Sequence, residues 1–112
     1  MKTYNGWTNY ATWRVNLELL DGYETSIESN IEEFTEFVEN GEISNENKMD
    51  LVYNLAKELE SVVEEIMNSY DTDSIVRSYA DAFVSDVNWY EIAEHKFDDL
   101  AERIIELANE NT

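Results

Sequence analysis

The chain has no cysteine and no proline, only three glycines, one histidine and seven basic residues among 112. Lacking cysteine, it has no disulfide framework and no thiol nucleophile. With a single histidine and no cysteine, a zinc site has too few ligands. The glycines, Gly6, Gly22 and Gly41, all lie in the first half, and the proline-free remainder is open to helix. No run of 18 apolar residues occurs, so no membrane span is expected. Met1-Lys2-Thr3-Tyr4-Asn5-Gly6 lacks the apolar run of a signal peptide. Neither a repeat nor a low-complexity linker is evident. No Gly-rich phosphate loop, nucleophile elbow or Walker-type lysine is present. Asp71-Thr72-Asp73 runs into Ser74-Ile75-Val76-Arg77 without the glycine and terminal glutamate of a calcium loop. The expectation is therefore no cofactor, no metal and no catalytic residue. A carboxylate pair for glycoside chemistry is not singled out among 26 acids.

What is present is apolar periodicity and acid. Hydrophobic residues make up 43% and aromatics 12%, enough for one packed core despite the charge. Five helices can be read. The first follows Thr8 or Asn9 as cap and runs to about Leu20, with Tyr10, Trp13, Leu17 and Leu20 at three- and four-residue steps. Asp21-Gly22 stops it. The second opens at Thr25 with Glu28 completing a capping box, carries Ile27, Ile31, Phe34 and Val38, and ends at Asn40-Gly41.

The third starts at Ser44 or Asn45 with a stripe of Met49, Val52, Ala56, Leu59, Val62 or Val63, Ile66 and Tyr70, about 37 Å at 1.5 Å per residue. Asp71-Thr72-Asp73 breaks it. The fourth, about Ser74 to Ser85, turns Ile75, Tyr79 and Phe83 inward. The fifth is capped by Asn88, with Glu91 in the capping-box position and Trp89, Ile92, Phe97, Leu100, Ile104 and Leu107 as its stripe. Period-two alternation is absent. The fold class is all-α: a compact single-domain bundle of about five helices over residues 1–112.

Two features invite a closer look. His95 sits one turn after Glu91 and beside Glu94. A catalytic base needs an orienting partner and a substrate, and a boundary histidine paired with a carboxylate is the simpler reading. Tyr4, Trp7, Tyr10 and Trp13 recur at steps of three. They read either as an interface hot spot or as a plug closing one end of the bundle, and the core's need for bulk favours the plug. Trp89 is expected to pack and Tyr90 to lie near the surface.

The formal net charge is −19. Self-repulsion of that size costs stability and argues against direct binding to nucleic acid or anionic lipid. Between Arg14 and Lys48 lie ten acids and no base: Glu18, Asp21, Glu24, Glu28, Glu32, Glu33, Glu36, Glu39, Glu42 and Glu46. Like charges at helical spacing destabilise by a few tenths of a kcal/mol per pair. Duplex DNA carries one charge per roughly 1.7 Å, so nineteen charges match about 32 Å, close to the roughly 34 Å diameter of a compact domain of this length. The first expectation is a mimic of nucleic acid that occupies the basic groove of a nucleic-acid-binding enzyme through Glu28, Glu32, Glu33, Glu36 and Glu39. Glu58, Glu60, Glu64 and Glu65 would extend the surface, and pairing of two copies would lengthen it. A solvated acidic surface without a particular partner is the competing reading. Salt adaptation fits less well, because Glu outnumbers Asp 18 to 8.

Asn5-Gly6-Trp7-Thr8-Asn9-Tyr10-Ala11-Thr12-Trp13-Arg14-Val15-Asn16-Leu17 resembles the opening N-G-W-x-N-Y-x-T-W-x-V-x-L pattern of a family of short phage and mobile-element proteins. Asp86-Val87-Asn88-Trp89-Tyr90-Glu91-Ile92-Ala93-Glu94-His95 is similar to that family's closing motif. Together they cover about 23 of 112 residues. The resemblance implies a phage or mobile-element origin and the cytoplasm of a bacterial host, without an established activity. In that setting the mimic would inhibit a host restriction or CRISPR nuclease. The alternative is an accessory module whose N-terminal aromatics and first helix bind a protein partner, the acids serving solubility.

Overall fold

A computed structural model describes residues 3–41, 43–70 and 73–110. Among these residues the chain forms six α-helices and one π turn: α1 (Tyr10–Val15), the π turn (Asn16–Leu20), α2 (Ser26–Ser29), α3 (Ile31–Glu39), α4 (Asn45–Asn68), α5 (Ser74–Val84) and α6 (Trp89–Glu110). The fold is all-α. The expected break at Asp71-Thr72 lies outside the described residues. The long α4 and α6 pack against each other, α3 lies on α6, and α1 touches α5. The core is Val52, Leu55, Ala56, Leu59 and Val63 of α4, Ile92, Ala93, Phe97 and Ile104 of α6, Phe34 and Val38 of α3, and Ala11, Val15, Leu20 and Val87. Phe34 meets Phe97 edge-on at 5.2 Å, a favoured aromatic geometry.

Caps fix most helix starts. Asn9 accepts from the Thr12 N–H, Ser44 from Asn47, and Asp73 from Ile75. Thr25 and Glu28 form the reciprocal capping box, with Thr25 fully buried. Gly41 closes α3 at φ +66, donating to the Val38 carbonyl, a backbone state that suits glycine.

Four packing expectations are corrected. The first helix does not turn its aromatics inward: Ala11, Thr12 and Val15 are buried, while Tyr10 and Leu17 are exposed. Small residues let α1 approach closely. The π turn then adds one residue, so that Leu20, five after Val15, regains the inner face. Leu20 is fully buried while Leu19, the α-helical successor of Val15, is 37% exposed.

The second helix is split. Asn30 leaves helical geometry at φ −112, ψ 45, and its side-chain amide donates to the Ser26 carbonyl at 2.9 Å, a local bond that competes with the helix. On the third, Leu55 joins the buried stripe, whereas Met49 and Tyr70 at its ends are exposed; Leu107 at the end of α6 is exposed likewise.

The largest reversal is α5. None of its residues is buried, and Ile75 (65% exposed), Val76, Tyr79 (75%) and Phe83 face solvent. Val84 is the hydrophobic residue of this helix that packs on the core. The molecule also departs from a sphere. Its radius of gyration is 16.1 Å and its extents are 56 × 32 × 25 Å.

The π turn makes an expected outcome specific. Leu20→Ala should cost about 2–5 kcal/mol in urea unfolding, as for a buried leucine, and Leu19→Ala less than about 1 kcal/mol. Equal costs, or the reverse order, would show that the helix continues without the extra residue.

Candidate partner-binding surface

α3 sorts its residues sharply. Phe34 and Val38 are buried, and Glu32, Glu33, Glu36 and Glu39 are exposed. At about 100° per residue, Glu32, Glu36 and Glu39 fall within about 60° of one another, opposite the buried pair. Their Cβ atoms step along the helix at about 5–6 Å. Glu28 does not join this row. The break at Asn30 separates it, and its Oε1 accepts from the Thr25 backbone N–H at 3.3 Å and the Thr25 hydroxyl at 3.1 Å. Beside the row, Ile27, Phe34, Phe37 and Leu51 floor an open groove between α2–α3 and α4, with Glu33 and Asp50 also lining it.

The acids of α4 do not form one cluster. Measured from the buried stripe, Glu60 and Glu64 lie on one flank and Glu58 and Glu65 on the other, because the helix turns about 100° per residue. Glu58 is tied internally: its Oε2 accepts from the Tyr23 hydroxyl at 2.7 Å and from the Ser26 N–H at 3.0 Å. This bond, then burial, pushes the Tyr23 phenol up to about 12. Glu60 lies 3.8 Å from Lys57. Glu64 and Glu65 are exposed.

Five basic residues have acidic or carbonyl neighbours. Arg14 pairs with Glu18 at 2.7 Å, Lys48 with Asp98 at 2.9 Å, Lys57 with Glu60 and Arg77 with Asp81 at 3.0 Å. Lys96 donates to the Leu20 carbonyl at 2.9 Å. The Asp98 hydrogen bond holds the Lys48 ammonium above its usual range. The acids fall at both ends of helices: Glu28, Glu32, Glu33, Glu46 and Glu91 stand in first turns, where the dipole favours them, but others do not. Glu39, Glu65 and Glu110 occupy the last turns of α3, α4 and α6, where no basic residue stands and the helix dipole disfavours negative charge.

The two segments singled out by their motifs meet in space. The Glu91 carboxylate accepts from the Thr8 N–H at 3.0 and 3.2 Å, instead of closing its own capping box. Asn9 donates from Nδ2 to the Asp86 carbonyl at 2.7 Å. The buried Thr12 hydroxyl donates to Asn9 Oδ1 at 2.7 Å and accepts from the Asn88 N–H at 2.9 Å. Asn88 Oδ1 in turn caps Glu91. His95 is exposed, and its near neighbour is the Trp7 ring at 4.3 Å, a stacking contact in place of the expected carboxylate pairing. These motif residues hold the ends of the fold together, a role that no periodicity announces.

The aromatic series divides as well. Tyr4 and Trp7 exchange backbone hydrogen bonds of 2.8 Å across Asn5-Gly6, both with positive φ, the two-residue turn that an Asn-Gly pair favours. That dipeptide was a readable signal. Tyr4, Tyr10 and Trp13 then cluster at 4.9–5.7 Å, and Tyr10 reaches Phe83 of α5 at 6.2 Å. The cluster is no buried plug: Tyr4 and Tyr10 are exposed and Trp13 half-buried. Trp89 packs on the core and Tyr90 is exposed, as expected. Among the described residues, no three His, Cys, Asp or Glu side chains come together to hold a metal ion. No helix described is long and apolar enough to cross a membrane.

Tyr23→Phe is expected to cost about 1 kcal/mol, a hydrogen bond to a charged group discounted for its half-exposed setting. The folded phenol holds its proton up to about 12, above the ordinary value. The contribution is therefore complete below pH 10 and lost as pH rises through about 12. Urea titrations of both proteins should differ constantly from neutral pH to about 10 and converge above. A difference undiminished past that range would exclude the phenolic proton as its source.

The polar clasp links the α1 region to the start of α6, apart from the acid row on α3 and the internally bonded Glu58. Comparison with known family models, curated proteins and solved structures finds no match to this chain.

Proposed function

We propose that the protein is a non-enzymatic acidic binder that occupies the basic nucleic-acid groove of a host nuclease of the restriction or CRISPR kind. It would act in the cytoplasm of a bacterial host and be encoded by a phage or mobile element. The observation that carries this reading is the row Glu32, Glu36 and Glu39, flanked by Glu33, exposed on one face of α3 inside a stretch without a basic residue. Regularly spaced carboxylates on a rigid helix present a cationic groove with an array resembling that of phosphates, and steer the encounter electrostatically. The acids at helix C-termini support the same reading, since they sit where the fold gains nothing from them.

The charge comparison narrows to this row. A duplex as long as the 56 Å molecule carries about 33 charges, more than the chain's formal 19. The resemblance is therefore local, to a few consecutive phosphates, and is not one of overall charge density.

A pull-down from bacterial lysate at low salt, eluted with stepwise salt, tests the proposal. The expected outcome is retention of a nucleic-acid-binding protein that duplex DNA displaces, weakening at least about tenfold by half-molar salt. Glu32→Lys with Glu36→Lys should abolish retention while leaving helicity intact. Binding that survives half-molar salt, or that ignores the double substitution, would overturn the mimic. A second reading, an interaction module that docks through its aromatics, is favoured by the exposed Tyr4 and Tyr10. In that case retention would resist salt and be lost in Tyr4→Ala.

A further inference from the structure

In a chain of formal charge −19, one side is nearly free of acid. Residues 1–17 contain no Asp or Glu, and α5 carries only Arg77 and Asp81, which pair with each other at 3.0 Å. α1 and α5 touch, and Tyr10 meets Phe83, so the two segments share one surface. On α5 the exposed residues Ile75, Tyr79 and Phe83 follow four-residue steps, with Val76 alongside. At about 100° per residue the ion pair falls on the opposite side from this stripe. The outward face of α5 thus bears aromatic, aliphatic and serine side chains and no carboxylate.

We propose that this face is a self-association surface, on which two copies of the chain pair α5 against α5 around a two-fold axis at Tyr79. Three observations select a second copy. The first is electrostatic: a basic partner is drawn to the acids, whereas a second acidic chain approaches most easily where it meets fewest. The second is symmetry: Ile75 and Phe83 stand equally far from Tyr79 along the helix. An antiparallel crossing sets Ile75 of each copy against Phe83 of the other, with four-residue ridges interdigitating as in the common helix-crossing class. The isologous contact is centred on α5, with Tyr10 of α1 at its margin beside Phe83.

The third is area. With about 150–250 Å² for a whole aromatic side chain, the exposed parts of Tyr10, Ile75, Val76, Tyr79 and Phe83 present on the order of 500 Å² per copy. Pairing would bury about 1,000 Å², the lower bound for a specific interface. A patch of this size is within the roughly 300–600 Å² of the largest apolar patch on a typical monomer, which is often functional. The association is therefore weak and reversible.

Its salt dependence has a definite sign. The crossing brings Asp73, ahead of α5, toward Asp86, behind α5, of the second copy, and both copies carry the same net charge. Salt screens this repulsion, shortening the Debye length from about 8 Å at physiological strength to about 3 Å at 1 M. Self-association therefore strengthens with salt, opposite to the behaviour expected for the acid row and its basic target.

Sedimentation equilibrium of the full chain, from micromolar to hundreds of micromolar at low and half-molar salt, tests this. A monomer–dimer equilibrium should appear and tighten several-fold with salt. Tyr79→Asp should weaken it at least tenfold with unchanged helicity, because the side chain is exposed in the monomer, and Tyr79→Ser should weaken it less. Asp73→Asn with Asp86→Asn, which keeps an N-capping side chain at 73, should tighten pairing at low salt and flatten the salt dependence. A chain monomeric at hundreds of micromolar in half-molar salt overturns the proposal, as does a dimer indifferent to Tyr79→Asp or loosened by salt. Glu32→Lys with Glu36→Lys should leave the dimer in place, so the two proposals fail separately.

Discussion

The Thr12 hydroxyl, fully buried, is hydrogen-bonded on both sides: to Asn9 within its own turn and to the Asn88 N–H, 76 residues away in sequence. Around it the Glu91 carboxylate holds the Thr8 N–H and the Asn9 amide holds the Asp86 carbonyl. Closing so long a loop costs roughly 4 kcal/mol of chain entropy, more than any one of these bonds returns. They work as a group and together with the packing of Ala11 and Val15 into the core. The position of α1, the entry into α6 and the placement of α5 between them all depend on this joint. Removing the hydroxyl would leave the Asn88 N–H without its acceptor beside a core that offers no substitute.

With that joint in place, the division of labour between surfaces becomes intelligible. α4 and α6 supply most of the core and spend their outer faces on acid. α3 adds Phe34 and Val38 to the same core and presents carboxylates outward. α5 is the exception: its apolar stripe contributes nothing to the interior. A helix that turns such a stripe to water loses the burial that normally holds helices in place. The chain retains α5 through Val84, the Asp73 cap and the ring contact to Tyr10. The α5 stripe therefore lies apart from the acid row of α3, although α3, α4 and α6 also expose apolar side chains such as Ile31, Tyr53 and Ile105 among their acids.

Much of this was legible in the residues, and the misses share a cause. Caps such as Thr25 are legible, and Asn9, Ser44 and Asn88 nearly so, because they act through bonds spanning two or three residues. Stripes of α4 and α6 were legible because the helices are long and run through one core. The faces of α1 and α5 were not. Periodicity says that a helix has an apolar side but not that the side is covered, and close approach rewards small residues such as Ala11 and Thr12 over the large aromatics that mark the stripe. The π turn inverts Leu19 and Leu20 with no change in composition. Glu28 and Glu58 look like any surface acids in sequence, and only the placement of Thr25, Tyr23 and Ser26 reveals that they are occupied.

The clasp also bears on how the chain behaves when cut. Residues 3–41 touch the remainder at many separate points: Thr8 on Glu91, Thr12 on Asn88, Lys96 on Leu20, Tyr23 on Glu58 and Phe34 on Phe97. The exposed Gly41 turn ends the first of these two segments. A single proteolytic nick there leaves every one of those contacts standing. After such a cut the two segments would be held to each other by these hydrogen bonds and by core packing alone.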